Sequence, residues 1–141
     1  DILNTIVFGI WTPTITVGGY TYTTTDGRYQ RIGNLVFING ALAITAITSA
    51  GGAGNFSMGG LPFTISNYGA DVMGGLAINQ WGSLQLNVGY TQLGFRPTTN
   101  TATFLAIQSG SSVAIAGVSL GSLGAAFTMN FTGMYLTSTV T

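Results

Sequence analysis

The segment Leu35-Val-Phe-Ile-Asn-Gly-Ala-Leu-Ala-Ile-Thr-Ala-Ile47 decides the fold class of this chain. Its β-branched and aromatic residues favour a long extended strand. The residues on one side of that strand are apolar: Val36, Ile38, Leu42 and Ile44. The other side is also mostly apolar: Leu35, Phe37, Ala41, Ala43 and Ile47. A strand that is apolar on both sides needs cover on both, which predicts a second sheet layer on one side and another copy of the chain on the other.

Most of the remaining chain is typical of short strands separated by turns. Ala125 to Leu136 alternates between large apolar residues and Thr or Asn, which predicts a strand with one buried face. The pairs Asp26-Gly27 and Trp81-Gly82 are interpreted as hairpin turns, and Ser109 to Ser112 as a third turn. About nine or ten strands at spacings of roughly 8 to 12 residues are typical of an antiparallel β-sandwich or a related closed sheet.

The N-terminal residues are the exception to this pattern. Ile2, Leu3 and Ile6 are spaced for one short helical turn, which can be the end of a helical stalk. We therefore expect residues 1–8 to form a lead-in or stalk end, and residues 9–141 to form a single β-sandwich domain.

The composition excludes most enzyme chemistry. The 141 residues include no His, Cys, Lys or Glu, and only 4% of them are charged. A serine nucleophile would have no base to activate it, so the chain is not expected to be an enzyme. It is not expected to bind a metal ion or a cofactor either. Three arginines cannot form a phosphate-binding surface, which excludes nucleic acid as a partner. No apolar run approaches the roughly 20 residues of a membrane-spanning helix, so membrane insertion is not expected either.

Candidate binding residues follow from side-chain type. An exposed aromatic ring beside Asn, Gln or Asp is the usual chemistry of a neutral sugar site. The segments Asn79-Gln-Trp81 and Tyr90-Thr-Gln92 fit this description. Large aromatic side chains are, however, more often core or interface residues. The candidate glycan-binding residues are Trp81, Tyr90, Tyr68, Asn79, Gln80, Asp71 and Arg96. The candidate oligomer-interface residues are Leu35, Phe37, Phe127, Phe131 and Tyr135. Arg28 and Arg31 are three residues apart in a strand, so they point to opposite faces and cannot converge on one ligand.

Three motifs in the first half of the chain resemble a widespread phage module. They are Gly9-Ile-Trp-Thr-Pro-Thr14, Gly27-Arg-Tyr-Gln-Arg-Ile-Gly-Asn34 and Gly60-Leu-Pro-Phe-Thr64. The pattern is similar to one found near the C-termini of phage tail fibres and related virion appendages. The resemblance implies a compact, jelly-roll-like sandwich, often trimeric, that binds host surface glycans at a fibre tip. It carries over no catalytic residues, and capsid-fibre and decoration proteins use similar modules.

Together, the residues and the resemblance predict an all-β, jelly-roll-like antiparallel β-sandwich that forms a homotrimer. The expected function is non-enzymatic: a virion-surface tail-fibre or appendage domain that attaches to a host-cell surface carbohydrate. The alternative is a structural capsid or tail decoration protein, such as a cement or head-fibre protein, that contacts only other virion proteins.

Overall fold

The computed structural model describes residues 6–15, 20–47, 57–66, 74–84, 86–97, 103–117 and 123–137. Within these ranges the fold is all-β, without helix, and every strand pairing is antiparallel. The ten strands are β1 (Ile6–Trp11), β2 (Thr14–Ile15), β3 (Tyr20–Ile32), β4 (Leu35–Ile47), β5 (Ser57–Gly59), β6 (Gly74–Leu84), β7 (Gln92–Pro97), β8 (Phe104–Gly110), β9 (Val113–Gly117) and β10 (Leu123–Leu136).

The strands form one continuous sheet that curls back on itself. Their order is β1-β3-β4-β10-β6-β7-β8-β5-β2, and β9 pairs with β8. β1 and β2 lie at opposite ends of this order, yet only Thr12 and Pro13 connect them in the chain. Because each residue spans at most about 3.6 Å, the two ends of the sheet must come close together. The antiparallel all-β prediction is therefore confirmed, with both layers formed by a single sheet, while the jelly-roll connections and the trimer stay predictions.

The core lies on the inner face of this curled sheet, and β4 and β10 supply much of it. Val36, Ile38, Leu42 and Ile44 of β4 are all buried, as the alternation predicts. The layers meet where the Phe104 ring of β8 packs edge-on against Tyr135 of β10, with 5.7 Å between ring centroids.

Three of the residues predicted for an oligomer interface belong to this core instead. Phe127, Phe131 and Tyr135 are each only 1% exposed, because they lie on the inner face of β10. The sequence identifies their strand face as apolar but cannot distinguish cover by the chain itself from cover by a partner. The other two candidates lie on the outer face of β4, where Leu35 is half-buried and Phe37 is 36% exposed.

The two predicted hairpin turns at glycine are wrong. Asp26-Gly27 lies inside β3, and Trp81-Gly82 lies inside β6. Gly27 is paired with both Trp11 of β1 and Gly40 of β4. A Cβ on Gly27 would lie 2.5 Å from Trp11 Nε1, so the glycine makes room for the indole ring rather than for a turn. The turn predicted over residues 109–112, by contrast, is present between β8 and β9, where it occupies residues 111–112.

The predicted N-terminal helical turn is not formed where the structure describes it. Ile6, Val7 and Phe8 pair with Ile32, Arg31 and Gln30 as part of β1. Residues 1–5 lie outside the described residues, and the domain boundary after residue 8 stays a prediction.

The motifs around Arg31 and Phe63 pack against each other on the inner face. Arg31 is 3% exposed and lies over the Phe63 ring, 4.6 Å from its centroid. Tyr29 packs edge-on against the same ring at 5.3 Å. The Tyr135 hydroxyl accepts a hydrogen bond from Phe63 N at 3.2 Å and donates one to Phe63 O at 3.0 Å. These motif residues therefore hold the 60–64 loop against the sheet, which is a structural role.

Candidate functional site

The outer face of the sheet carries a row of polar side chains across adjacent strands. Arg28 of β3 is paired with Asn39 of β4, which is paired with Thr132 of β10. All three side chains are exposed. Residues directly opposite each other in antiparallel strands have neighbouring side chains on one face, so the register alone places these three together.

These side chains line a shallow depression of about 270 Å³, which we call the outer groove. Its lining residues are Asp26, Gly27, Arg28, Asn39, Gly40, Ala41, Asn79, Phe131 and Thr132. Across it, Asn79 Nδ2 of β6 donates a hydrogen bond to Thr132 Oγ1 at 3.1 Å. A second depression of about 230 Å³ shares Arg28, Asn39 and Thr132 with the outer groove and is also lined by Phe8 and Phe37. The polar groove therefore continues into a more apolar one.

The outer groove has no net charge. Arg28 Nη1 donates a hydrogen bond to Asp26 Oδ1 and another to Gly27 O at 3.1 Å. The side chains of Arg28 and Asp26 are 59% and 62% exposed. The remaining polar groups that line the groove are amides, hydroxyls and backbone, so what it offers a ligand is neutral hydrogen bonding.

One end of the same face is apolar, and we call it the apolar end. Ile10, Phe8 and Met134 are 74%, 71% and 48% exposed. Four half-buried apolar side chains lie beside them, Ile6, Ile32, Leu35 and Leu136, and one half-buried polar side chain, Gln30, is paired with Phe8. Contiguous exposed apolar surface of this kind usually marks a contact with another macromolecule.

The structure describes five of the seven predicted glycan-binding residues, and they lie on β6, on β7 and in the segment before β7. Tyr68 and Asp71 lie outside the described residues. Asn79 lines the outer groove, and Gln80 lies beside it, opposite Asn130. Trp81 is paired with Met129, a core residue, so its side chain is on the inner face even though it is 39% exposed.

The remaining two candidates lie on other strands. The Tyr90 hydroxyl donates a hydrogen bond to Ala114 O at 2.9 Å, which ties the chain before β7 to β9. Arg96 is exposed on β7, opposite Leu105. The sugar-binding role of these two residues stays a prediction.

The electrostatics of the described residues show one strong perturbation. Burial raises the pKa of the Tyr135 hydroxyl above its usual range, although its hydrogen bond with Phe63 and the nearby Arg31 charge act in the opposite direction. Tyr135 is 1% exposed, so it is a core residue. In the described part of the chain, no group of three His, Cys, Asp or Glu side chains could hold a metal ion. No helix in that part is long and apolar enough to span a membrane.

Comparison with known proteins finds one solved structure with a similar fold. The crystal structure of the Dettilon tailspike protein (gp208) matches 92% of this chain with a TM-score of 0.71. The chain is similar in fold to part of a phage tailspike. The sequences are 17% identical over the match, and this chain covers 23% of the tailspike chain. No protein-family model matches the sequence, and no curated protein matches it.

The sequence alone did not predict that Arg28, Asn39 and Thr132 are neighbours. The alternation in β10 did place Thr132 on a polar face with Thr128 and Asn130. Asn39 was visible as a polar residue in an otherwise apolar segment. The missing information was the strand register, which pairs residue 39 with residue 132 across 93 positions of sequence.

Proposed function

We propose that this chain is a domain of a phage tail appendage that attaches the virion to a host-cell surface glycan without making or breaking bonds. The observation that carries the proposal is the fold similarity to a phage tailspike at a TM-score of 0.71. The motifs around Arg31 and Phe63 support it, because they resemble those of virion appendages and pack together against the core.

The chemistry of the surface supports adhesion through neutral contacts. The chain has three acidic and three basic residues in 141, and the one ion pair on the outer groove joins Arg28 to Asp26. A neutral polysaccharide presents hydroxyls and apolar CH surfaces, which amides, hydroxyls and aromatic rings can match. Among the described residues of the outer groove, no nucleophile lies beside a base, which supports a binding role over a catalytic one.

The proposal includes a homotrimer. Phe8, Ile10 and Met134 of the apolar end are exposed in the single chain. A closed cyclic oligomer hides such surface without forming open fibres. We therefore propose that copies of the chain contact each other through the apolar end.

Glycan binding and assembly are tested on the same purified protein. Sedimentation velocity is expected to give a trimer, and an array of bacterial surface polysaccharides is expected to give binding without release of reducing ends. A trimer that binds no polysaccharide would contradict the attachment role. Release of reducing ends would contradict the non-enzymatic one.

The apolar end also favours a second candidate function, that of a structural capsid or tail component with only virion proteins as partners. Electron cryomicroscopy of particles labelled on this chain separates the two. An appendage-tip location with exposed outer grooves supports attachment, whereas a location on the capsid lattice with the outer face covered supports the structural role.

A further inference from the structure

We infer that the outer groove, rather than the cluster around Trp81, is the glycan site, and that its ligand is a neutral oligosaccharide lying across the strands. This inference rests on the proposed function, because it names the site and ligand chemistry of that attachment. It begins from Arg28, Asn39 and Thr132, which the register of β3, β4 and β10 places in one exposed row.

The row has the dimensions of an oligosaccharide contact. Neighbouring strands are about 4.8 Å apart, so the Arg28 and Thr132 positions are separated by roughly 10 Å. Asn79 extends the row onto β6 through its hydrogen bond to Thr132. The hydrogen-bonding groups therefore follow a line perpendicular to the strands, and an extended ligand on that line can contact each of them.

The polar groups of this row can both donate and accept. Thr132 Oγ1 accepts a hydrogen bond from Asn79, and a hydroxyl that accepts one bond can still donate its own proton. The amides of Asn39 and Asn79 each carry two donor hydrogens and an acceptor oxygen. Sugar hydroxyls also donate and accept, so they can bind this row without leaving a polar group unpaired.

The charge state of the groove selects against acidic sugars. The one cation that lines it, Arg28, is already hydrogen-bonded to Asp26 and to Gly27 O. A uronic or sialic acid would bring a carboxylate beside the Asp26 carboxylate, which already balances the charge of Arg28, the one cation among the lining residues. Moving a carboxylate out of water without a partner is costly, so a neutral glycan is preferred and its affinity is insensitive to salt.

The adjoining depression gives the ligand an apolar contact. Phe37 is 36% exposed there and lies one row from Asn39 on the same face of β4. A pyranose ring that directs its hydroxyls toward Asn39 and Thr132 can place a CH face against Phe37. At Trp81, by contrast, the indole lies on the inner face of β6, whereas Asn79 lines the outer groove.

The test compares the wild-type protein with four single variants. Asn39→Ala, Asn79→Ala and Thr132→Val remove hydrogen-bonding groups from the row, and Thr132→Val keeps the branched shape of the side chain. Thr91→Val is the matched control, because Thr91 is exposed but does not line the groove. The probes are arrayed neutral hexose and N-acetylhexosamine oligosaccharides, each printed beside a uronic-acid or sialylated counterpart. Sedimentation velocity of every variant checks that the assembly is unchanged.

We expect the wild-type protein to bind neutral probes more tightly than their acidic counterparts, with affinity nearly constant between about 0.05 and 0.5 M salt. Each groove variant is expected to weaken binding about threefold to tenfold, and the control to leave it unchanged.

Glycan binding that the groove variants leave intact would overturn the groove assignment while sparing the attachment function. A preference for acidic probes that falls with salt would overturn the neutral ligand class. A change of sedimentation in the groove variants would assign the face to contacts between copies instead. Absence of binding by the wild-type protein to every probe would overturn the attachment function itself.

Discussion

Replacement of Gly27 by alanine tests the central packing feature of β3. The new Cβ would lie 2.5 Å from Nε1 and 2.8 Å from Cε2 of Trp11, whose side chain is 5% exposed. Overpacking of a core typically costs about 1–3 kcal/mol. Displacing the indole would also break its 3.2 Å hydrogen bond to Asn39 O, at about 0.5–1.5 kcal/mol. We therefore expect Gly27→Ala to reduce the free energy of unfolding by about 1.5–4.5 kcal/mol.

The assay is urea and thermal unfolding followed by circular dichroism at one fixed protein concentration, because the stability of an oligomer depends on concentration. Gly94→Ala is the control, since its Cβ would make only an ordinary contact, 3.9 Å from Ile107 Cγ1. A smaller residue in Trp11→Leu should relieve the clash, so the Gly27→Ala penalty should fall by at least about 1 kcal/mol in that background. An equal penalty in both backgrounds would refute the packing argument.

Four further predictions concern the core around Phe63 and the exposed ion pair. Tyr135→Phe removes the hydroxyl that serves both Phe63 N and Phe63 O, so urea unfolding should show a loss of about 1–3 kcal/mol. Because burial raises the pKa of Tyr135, the folded protein binds the hydroxyl proton more tightly than the unfolded chain. The free energy of unfolding should therefore fall as the pH rises above about 10, by up to about 1.4 kcal/mol per pH unit. The fall should be less steep in Tyr135→Phe. Phe63→Leu removes the ring beneath Arg31 and beside Tyr29. We expect this variant to lose about 1–3 kcal/mol of the free energy of unfolding. A loss under about 0.5 kcal/mol would contradict the importance of these contacts. Arg28→Gln breaks an exposed ion pair and should change the free energy of unfolding by less than about 1 kcal/mol. A larger loss would show that the pair is buried in the assembly.

The strands that can be recognised from sequence are those in which local pattern and final burial agree. In β4 and β10 the alternation alone separates inner from outer residues, and Ile38 and Met129 are buried as expected. At Gly27 the local signal for a turn competes with a tertiary requirement, because the indole of Trp11 occupies the space that a side chain would need. That requirement comes from a strand 16 residues earlier, so no window around Asp26-Gly27 contains it.

The candidate site was harder to predict than the fold, because it depends on register. Trp81 and Asn79 are neighbours in sequence, yet the irregular pairing near Asn130 helps to place them on opposite faces of β6. Asn39 and Thr132 are distant in sequence, yet they are paired directly. Residue type identified Asn79 as a sugar-binding candidate, but only the strand register places it near Thr132 and Asn39.

The most direct test of the account is a nuclear magnetic resonance titration of the protein with the neutral oligosaccharide that binds best on the array. The side-chain amide resonances of Asn39 and Asn79 should shift with a saturable dependence on ligand, while the indole N–H resonance of Trp81 stays unchanged. Shifts at Trp81 with none at Asn39 and Asn79 would show that the sugar binds elsewhere and would contradict the account.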